Sequence, residues 1–162
     1  MRHLAQVHPD SAHGRAAGDA LTHFCTNCAS LFDEPAARRR VCPRCSLGVV
    51  LTCSSATLDA PGAAFFVVTS DLRVSAGSKQ AEDLFAAHDG IFGRPLLSLI
   101  TSPDGIGELP QLVVAAAGGQ MAPSTIAVQS AASKLDDVSL EARIGGCGNP
   151  PAALVVVEAA SH

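Results

Sequence analysis

Four cysteines stand at positions 25, 28, 42 and 45, in the stretch CTNCASLFDEPAARRRVCPRC. Two thiolates two residues apart on a tight turn can both point into one site. Two such turns supply four ligands to one tetrahedral ion. The pattern C-x2-C-x13-C-x2-C is therefore read as a metal site built from Cys25, Cys28, Cys42 and Cys45. Zinc is expected over iron, because it is the usual structural occupant of an all-thiolate site. A redox Cys-x-x-Cys needs one pair beside a βαβ pattern, and neither condition holds. Structural disulfides conflict with a thiol-reducing compartment. His23 stands beside a set that already has four ligands, so it is read as a packing or exposed histidine.

Backbone N–H groups in such turns can bond the sulfurs, and Gly48 after the second turn lets the chain pass close to the metal. The resemblance at residues 23–53 is to the zinc-ribbon class with rubredoxin-type knuckles, in which one zinc ion serves a structural role. That class spans nucleic-acid binders, protein-docking modules and structural caps, so the resemblance implies a fold more than a task. Arg38, Arg39 and Arg40 lie between the knuckles and Arg44 lies inside the second. They are the candidate contacts for a partner or for DNA phosphate. With no aromatic platform beside them and an acidic chain overall, a solvated hairpin tip is the preferred reading.

The remaining chemistry is sparse. No phosphate-binding Gly-rich loop, nucleophile elbow or His-Glu-x-x-His motif occurs, and the acids are scattered, so no enzyme is expected. No apolar run reaches the ~18 residues of a membrane span, and the N-terminus has no continuous apolar segment of the secretory kind. Both observations point to a cytoplasmic protein with no membrane partner.

The elements that must position these residues fall into two unequal parts. Residues 1–58 carry six arginines against four acids, while residues 59–162 carry five basic and eleven acidic side chains. Five of the six cysteines precede residue 54. The expected division is a mobile tail over 1–20, a four-cysteine zinc ribbon over 21–54, a linker over 55–62 and a second domain over 63–160.

In the second domain, 63–70 is a near-continuous apolar run, as for a strand buried on both faces, and 73–77 is its hairpin partner. Ser78 can cap a helix over 79–87, and a second helix is expected near 109–117, ended by Gly118-Gly119. Three strands follow, at 125–131, 138–144 and 152–158, with the Gly145–Pro151 stretch read as a loop that holds Cys147.

This succession resembles a PAS sensor domain. The residues that carry the likeness are the opening Ala64–Val74 hairpin, Ser78 and Ala81 with Leu84-Phe85, and Gly93-Arg94-Pro95 leading into Leu96-Leu97. The resemblance implies an α+β fold in which a small β zinc ribbon precedes a five-stranded antiparallel sheet flanked by short helices. It also implies a small ligand of unspecified kind between sheet and helices, a homodimer, and signalling to attached modules. A flavin photoreceptor is excluded within this reading, because residues 79–117 contain no cysteine. A haem or redox sensor would use His88 or Cys147.

Three functions are carried forward. The leading one is a small cytoplasmic regulatory protein, a zinc-stabilised interaction module joined to a PAS-like sensing or dimerisation domain. The others are a DNA-binding transcriptional regulator using Arg38–Arg40, and the haem or redox sensor.

Overall fold

The computed structural model describes residues 20–33, 38–86, 89–104, 107–131, 135 and 137–161. The expected tail over 1–19 and His88 lie outside the described residues.

The described chain is α+β, built on a curled antiparallel sheet with two α-helices. The cysteine region contributes β1 (Leu21–Cys25), β2 (Leu31–Phe32) and β3 (Val50–Ser54). The rest contributes β4 (Ala64–Val68), β5 (Val74–Gly77), α1 (Lys79–Phe85), β6 (Ile100–Thr101), α2 (Glu108–Ala117), β7 (Ser124–Ser130), β8 (Leu140–Cys147) and β9 (Ala152–Ala159). A 3-10 turn at Leu96–Ser98 follows Pro95.

The path of neighbours is β2-β1-β3-β8-β9-β4-β5. β9 pairs with all of β8, from Leu140 to Cys147, and so occupies one of its edges. The other edge is shared: β7 covers Leu140–Ile144, and β3 meets β8 at Cys53 opposite Cys147. The cysteine region therefore extends the same sheet that the C-terminal strands form.

Alternation along the central strands explains two cores. In β4, Ala64, Phe66 and Val68 face the helices, while Phe65 and Val67 face the other way. In β9, Ala153, Val155 and Val157 face the helices, and Leu154 and Val156 face away. The helix-side core is closed by Ala81, Phe85, Leu109, Val113 and the 3-10 turn. The outer core is closed by Phe24, Ala29, Cys53 and Leu58, with Phe24 and Phe65 edge-to-face at 5.2 Å between centroids.

The helix boundaries follow local chemistry. The Ser78 hydroxyl caps α1 by accepting from Ala81 N–H at 3.2 Å, and it also accepts from Phe65 N–H at 3.1 Å. α2 buries Leu109, Val113, Ala116 and Ala117, the i, i+4, i+7, i+8 face of a helix. Pro110 sits in its first turn, where a missing N–H costs nothing. The Gly93-Arg94-Pro95 segment runs along β5: Val74 N–H donates to Arg94 O at 3.0 Å, and Gly93 N–H donates to Val74 O at 2.7 Å.

Two stretches differ from expectation. β8 begins at Leu140 and runs through Gly145, Gly146 and Cys147, so these are strand residues and not a loop. The glycines are needed for close approach. A Cβ at Gly145 would collide with Thr57 Oγ1, and one at Gly146 would sit 3.0 Å from Gln120 O and 3.1 Å from Ala116 O. The segment 55–62, expected as a linker, is anchored in its first half: Thr57 and Leu58 are buried, residues 59–62 are exposed, and Gly62 N–H donates to Ala29 O at 3.1 Å. Arg143 ties it to the sheet, donating to Ala56 O at 3.3 Å and pairing with Asp59 at 3.3 Å and Glu158 at 2.6 Å.

Candidate metal centre and its surface

The two Cys-x-x-Cys turns are built alike. In each, the N–H of the residue after the second cysteine donates to the carbonyl of the first: Ala29 to Cys25 at 3.2 Å, Ser46 to Cys42 at 3.0 Å. Those two residues take the left-handed conformation, with φ of 55° and 58°. The middle residue donates its N–H to the first sulfur, Asn27 to Cys25 Sγ and Arg44 to Cys42 Sγ, both at 3.4 Å. The turns are then pressed together, because Gly48 has no side chain. A Cβ there would collide with Cys25 Sγ and lie 2.8 Å from Asn27 N.

This construction brings the sulfurs of Cys25, Cys28, Cys42 and Cys45 within 4.8 Å of one another. Cys25 and Cys45 are 3.6 Å apart, and Cys28 and Cys42 are 3.8 Å apart. A tetrahedron with Zn–S bonds of about 2.3 Å has sulfur–sulfur edges of about 3.8 Å. The donor set and spacing fit a metal ion such as zinc, held by four cysteines. Once bound, such an ion draws the thiols into the thiolate form and cross-links the two turns.

The protein prepares this charge unevenly. Burial pushes the Cys25 thiol up to about 12, against the pull of N–H bonds from Cys28 and Asn27. N–H groups of Gly48 and Leu47 hold Cys45 down at about 6, against a smaller burial penalty. At Cys28 burial opposes ionisation, but the hydroxyl and N–H of Ser30 outweigh it and the thiol is lowered. Asn27 Nδ2 also donates to Cys45 Sγ at 3.6 Å. Sequence reasoning passed over Asn27, Ser30, Ala29 and Ser46; the shared form of CTNCAS and CPRCSL, a small residue after each knuckle, was the available signal.

His23 is not part of this cluster: its Nδ1 lies 2.8 Å from Thr52 Oγ1, on the neighbouring strand. Arg38, Arg39, Arg40 and Arg44 are exposed, and only Arg44 has a side-chain hydrogen bond among the described residues, to Ser30 Oγ at 3.4 Å. The same hairpin leaves Leu47 81%, Val41 56% and Val49 48% exposed, and Val41 and Val49 are opposed across it. These apolar side chains were not anticipated.

The space between helices and sheet is filled by buried Phe66, Leu96, Leu99, Ile100, Leu109 and Val113. Open clefts lie elsewhere. One of about 470 Å³ is wedged between Arg40 and Asn149 along β3. One of about 370 Å³ lies beside Val128, Asp137 and Glu141, and another of about 370 Å³ lies on α2 at Pro110 and Val114. Cys147 is buried, 1% exposed, and stands against Cys53. Among the described residues no helix is long and apolar enough to cross a membrane.

The fold and site together define an α+β protein with a four-cysteine metal-type cluster on the margin of its sheet. No protein-family model, curated protein or solved structure matches the chain.

Proposed function

We propose that the chain is a small regulatory protein in which one structural zinc ion, held by Cys25, Cys28, Cys42 and Cys45, stiffens a ribbon-like hairpin that docks a protein partner. The C-terminal region acts as a PAS-like sensing or dimerisation domain coupled to it. The observation that carries the docking reading is the hairpin surface. Leu47, Val41 and Val49 are exposed among Arg38, Arg39, Arg40 and Arg44. Apolar anchors ringed by cations suit an acidic segment with aliphatic side chains. Phosphate backbones offer nothing for Leu47 to bury against, so this surface favours a protein partner over duplex DNA.

The PAS-like reading is supported by the order of elements: a hairpin β4–β5, short helices, then the meander β7-β8-β9 with β9 returning to pair with β4. Its filled interior favours a role in protein contact over ligand capture. The test uses fluorescence anisotropy with two probes, a labelled Glu/Leu peptide and a labelled DNA duplex. The peptide should bind, and should weaken at least tenfold with either Leu47→Ser or Arg38–Arg40→Ala. Tight DNA binding that ignores Leu47→Ser replaces the docking reading with the DNA-binding one. Well under one zinc per purified chain sinks the ribbon assignment.

A further inference from the structure

We infer that Cys53 and Cys147 form a dithiol–disulfide pair, a covalent modification site that fastens the cysteine region to the C-terminal sheet. The two are directly opposed, the one registered pair that joins β3 to β8 among the described residues. Gly148 N–H donates to Thr52 O at 2.9 Å, from the residue after Cys147 to the residue before Cys53. That pattern defines a non-hydrogen-bonded antiparallel pair, in which opposed Cα atoms are about 4.5 Å apart. A disulfide needs roughly 4.4–6.8 Å between Cα atoms, so this register places the two cysteines within bridging range. Both side chains lie on the same face of the sheet, in the outer core with Phe24, Phe65 and Leu154. Neither belongs to the four-sulfur cluster, whose members face one another.

The chemistry balances with a hydroperoxide as oxidant. One thiolate attacks the peroxide oxygen; the O–O bond breaks, and the departing oxygen leaves as water or an alcohol. The other thiol sulfur attacks the resulting sulfenic sulfur, the S–S bond forms, and the hydroxyl leaves as water with the second proton. Two thiols are oxidised and one hydroperoxide is reduced. A dithiol reductant reverses the bond by exchange. Burial at 0% and 1% exposure limits access, so closure is slow and follows sustained oxidant exposure.

The experiment uses the full chain, loaded with zinc and assayed for metal content. It is incubated with hydrogen peroxide, unfolded in the presence of N-ethylmaleimide, and digested with trypsin and chymotrypsin. Cleavage after Leu47 or Leu51 separates Cys45 from Cys53. The expected result is a peptide pair joined through Cys53 and Cys147, lighter by two hydrogens and restored by a dithiol reductant. The four cluster cysteines should remain alkylatable, with metal content unchanged. Full alkylation of both Cys53 and Cys147 overturns the inference, as does linkage of either one to a cluster cysteine. Cys147→Ala should leave Cys53 alkylatable; if that variant does not fold, the wild-type peptide map decides alone.

Discussion

Gly48→Ala should loosen the metal centre while leaving the rest of the fold intact. The added Cβ would lie 2.8 Å from Asn27 N and 2.9 Å from Asn27 Cβ, and would collide with Cys25 Sγ. Ordinary contact begins near 3.4 Å. The two knuckles must therefore part by at least about 0.6 Å at Asn27 N, and by more at Cys25 Sγ, whereas ligand distances in a working metal site hold to roughly ±0.2 Å. The obstacle is backbone and a ligand atom, so no flexible side chain can give way. Overpacking of this kind costs about 1–3 kcal/mol, equivalent to roughly one to two orders of magnitude in metal affinity. The assay is competition for zinc against a chromogenic chelator. Gly107→Ala is the control, since its Cβ would meet nothing closer than Gln111 Nε2 at 3.9 Å. Wild-type zinc affinity in Gly48→Ala, with the control also unchanged, refutes the close-packed knuckle.

Three further outcomes follow from the same geometry. Ser46, at φ 58°, should accept glycine with a gain of about 1 kcal/mol in chelator resistance, while Ser46→Val should lose at least that much. Ser78→Ala removes one acceptor from two N–H groups, Ala81 and Phe65, in a fully buried position. Urea unfolding should show a loss of roughly 2–3 kcal/mol. Burial raises the thiols of Cys53 and Cys147 from the ordinary 9.0 to about 12, with the charge of Cys53 adding to the effect at Cys147. The unfolded chain ionises first as pH rises, so the stability they contribute is complete below pH 9 and is lost on the way to 12. In reductant, wild-type stability should fall by up to roughly 1.4 kcal/mol per pH unit per thiol over that window, and Cys53→Ala should flatten the slope.

How much of this was legible in the sequence depends on which distances were local. The knuckles were, because Cys-x-x-Cys and the following glycine encode a turn and a close approach within a few residues. The Ser78 cap and the Gly118-Gly119 stop were too, for the same reason. Gly145-Gly146 misled, because glycine marks both turns and close passage, and the atoms that demand closeness here belong to Thr57, Ala116 and Gln120. The exposed trio Val41, Leu47 and Val49 could not be separated from core residues by type, since exposure is decided by what fails to pack on them. The opposition of Cys53 and Cys147, 94 positions apart as 147 − 53, is a matter of register between distant strands, which composition does not carry.

The apolar run of β4 held more information than its assignment as a strand. A strand buried at every position, Ala64 through Val68, needs cover on both faces of its sheet. The two helices lie on one face and close the core around Phe66 and Val155. Phe65, Val67, Leu154 and Val156 on the opposite face must then be covered by something else, and Phe24, Ala29 and Leu58 do so. The cysteine region is thereby both the carrier of the metal-type site and the second lid of the sheet. Its strands are short, β2 having two residues, and it meets β8 at one registered pair. A metal ion held by the four cysteines would cross-link the knuckles, and Phe24 packs edge-to-face on Phe65 beside them, fixing this lid to the sheet. Chelation should therefore speed hydrogen exchange at Phe24 and Leu51 well before it reaches Phe66 or Val155, because the helix-side core does not depend on the cysteines.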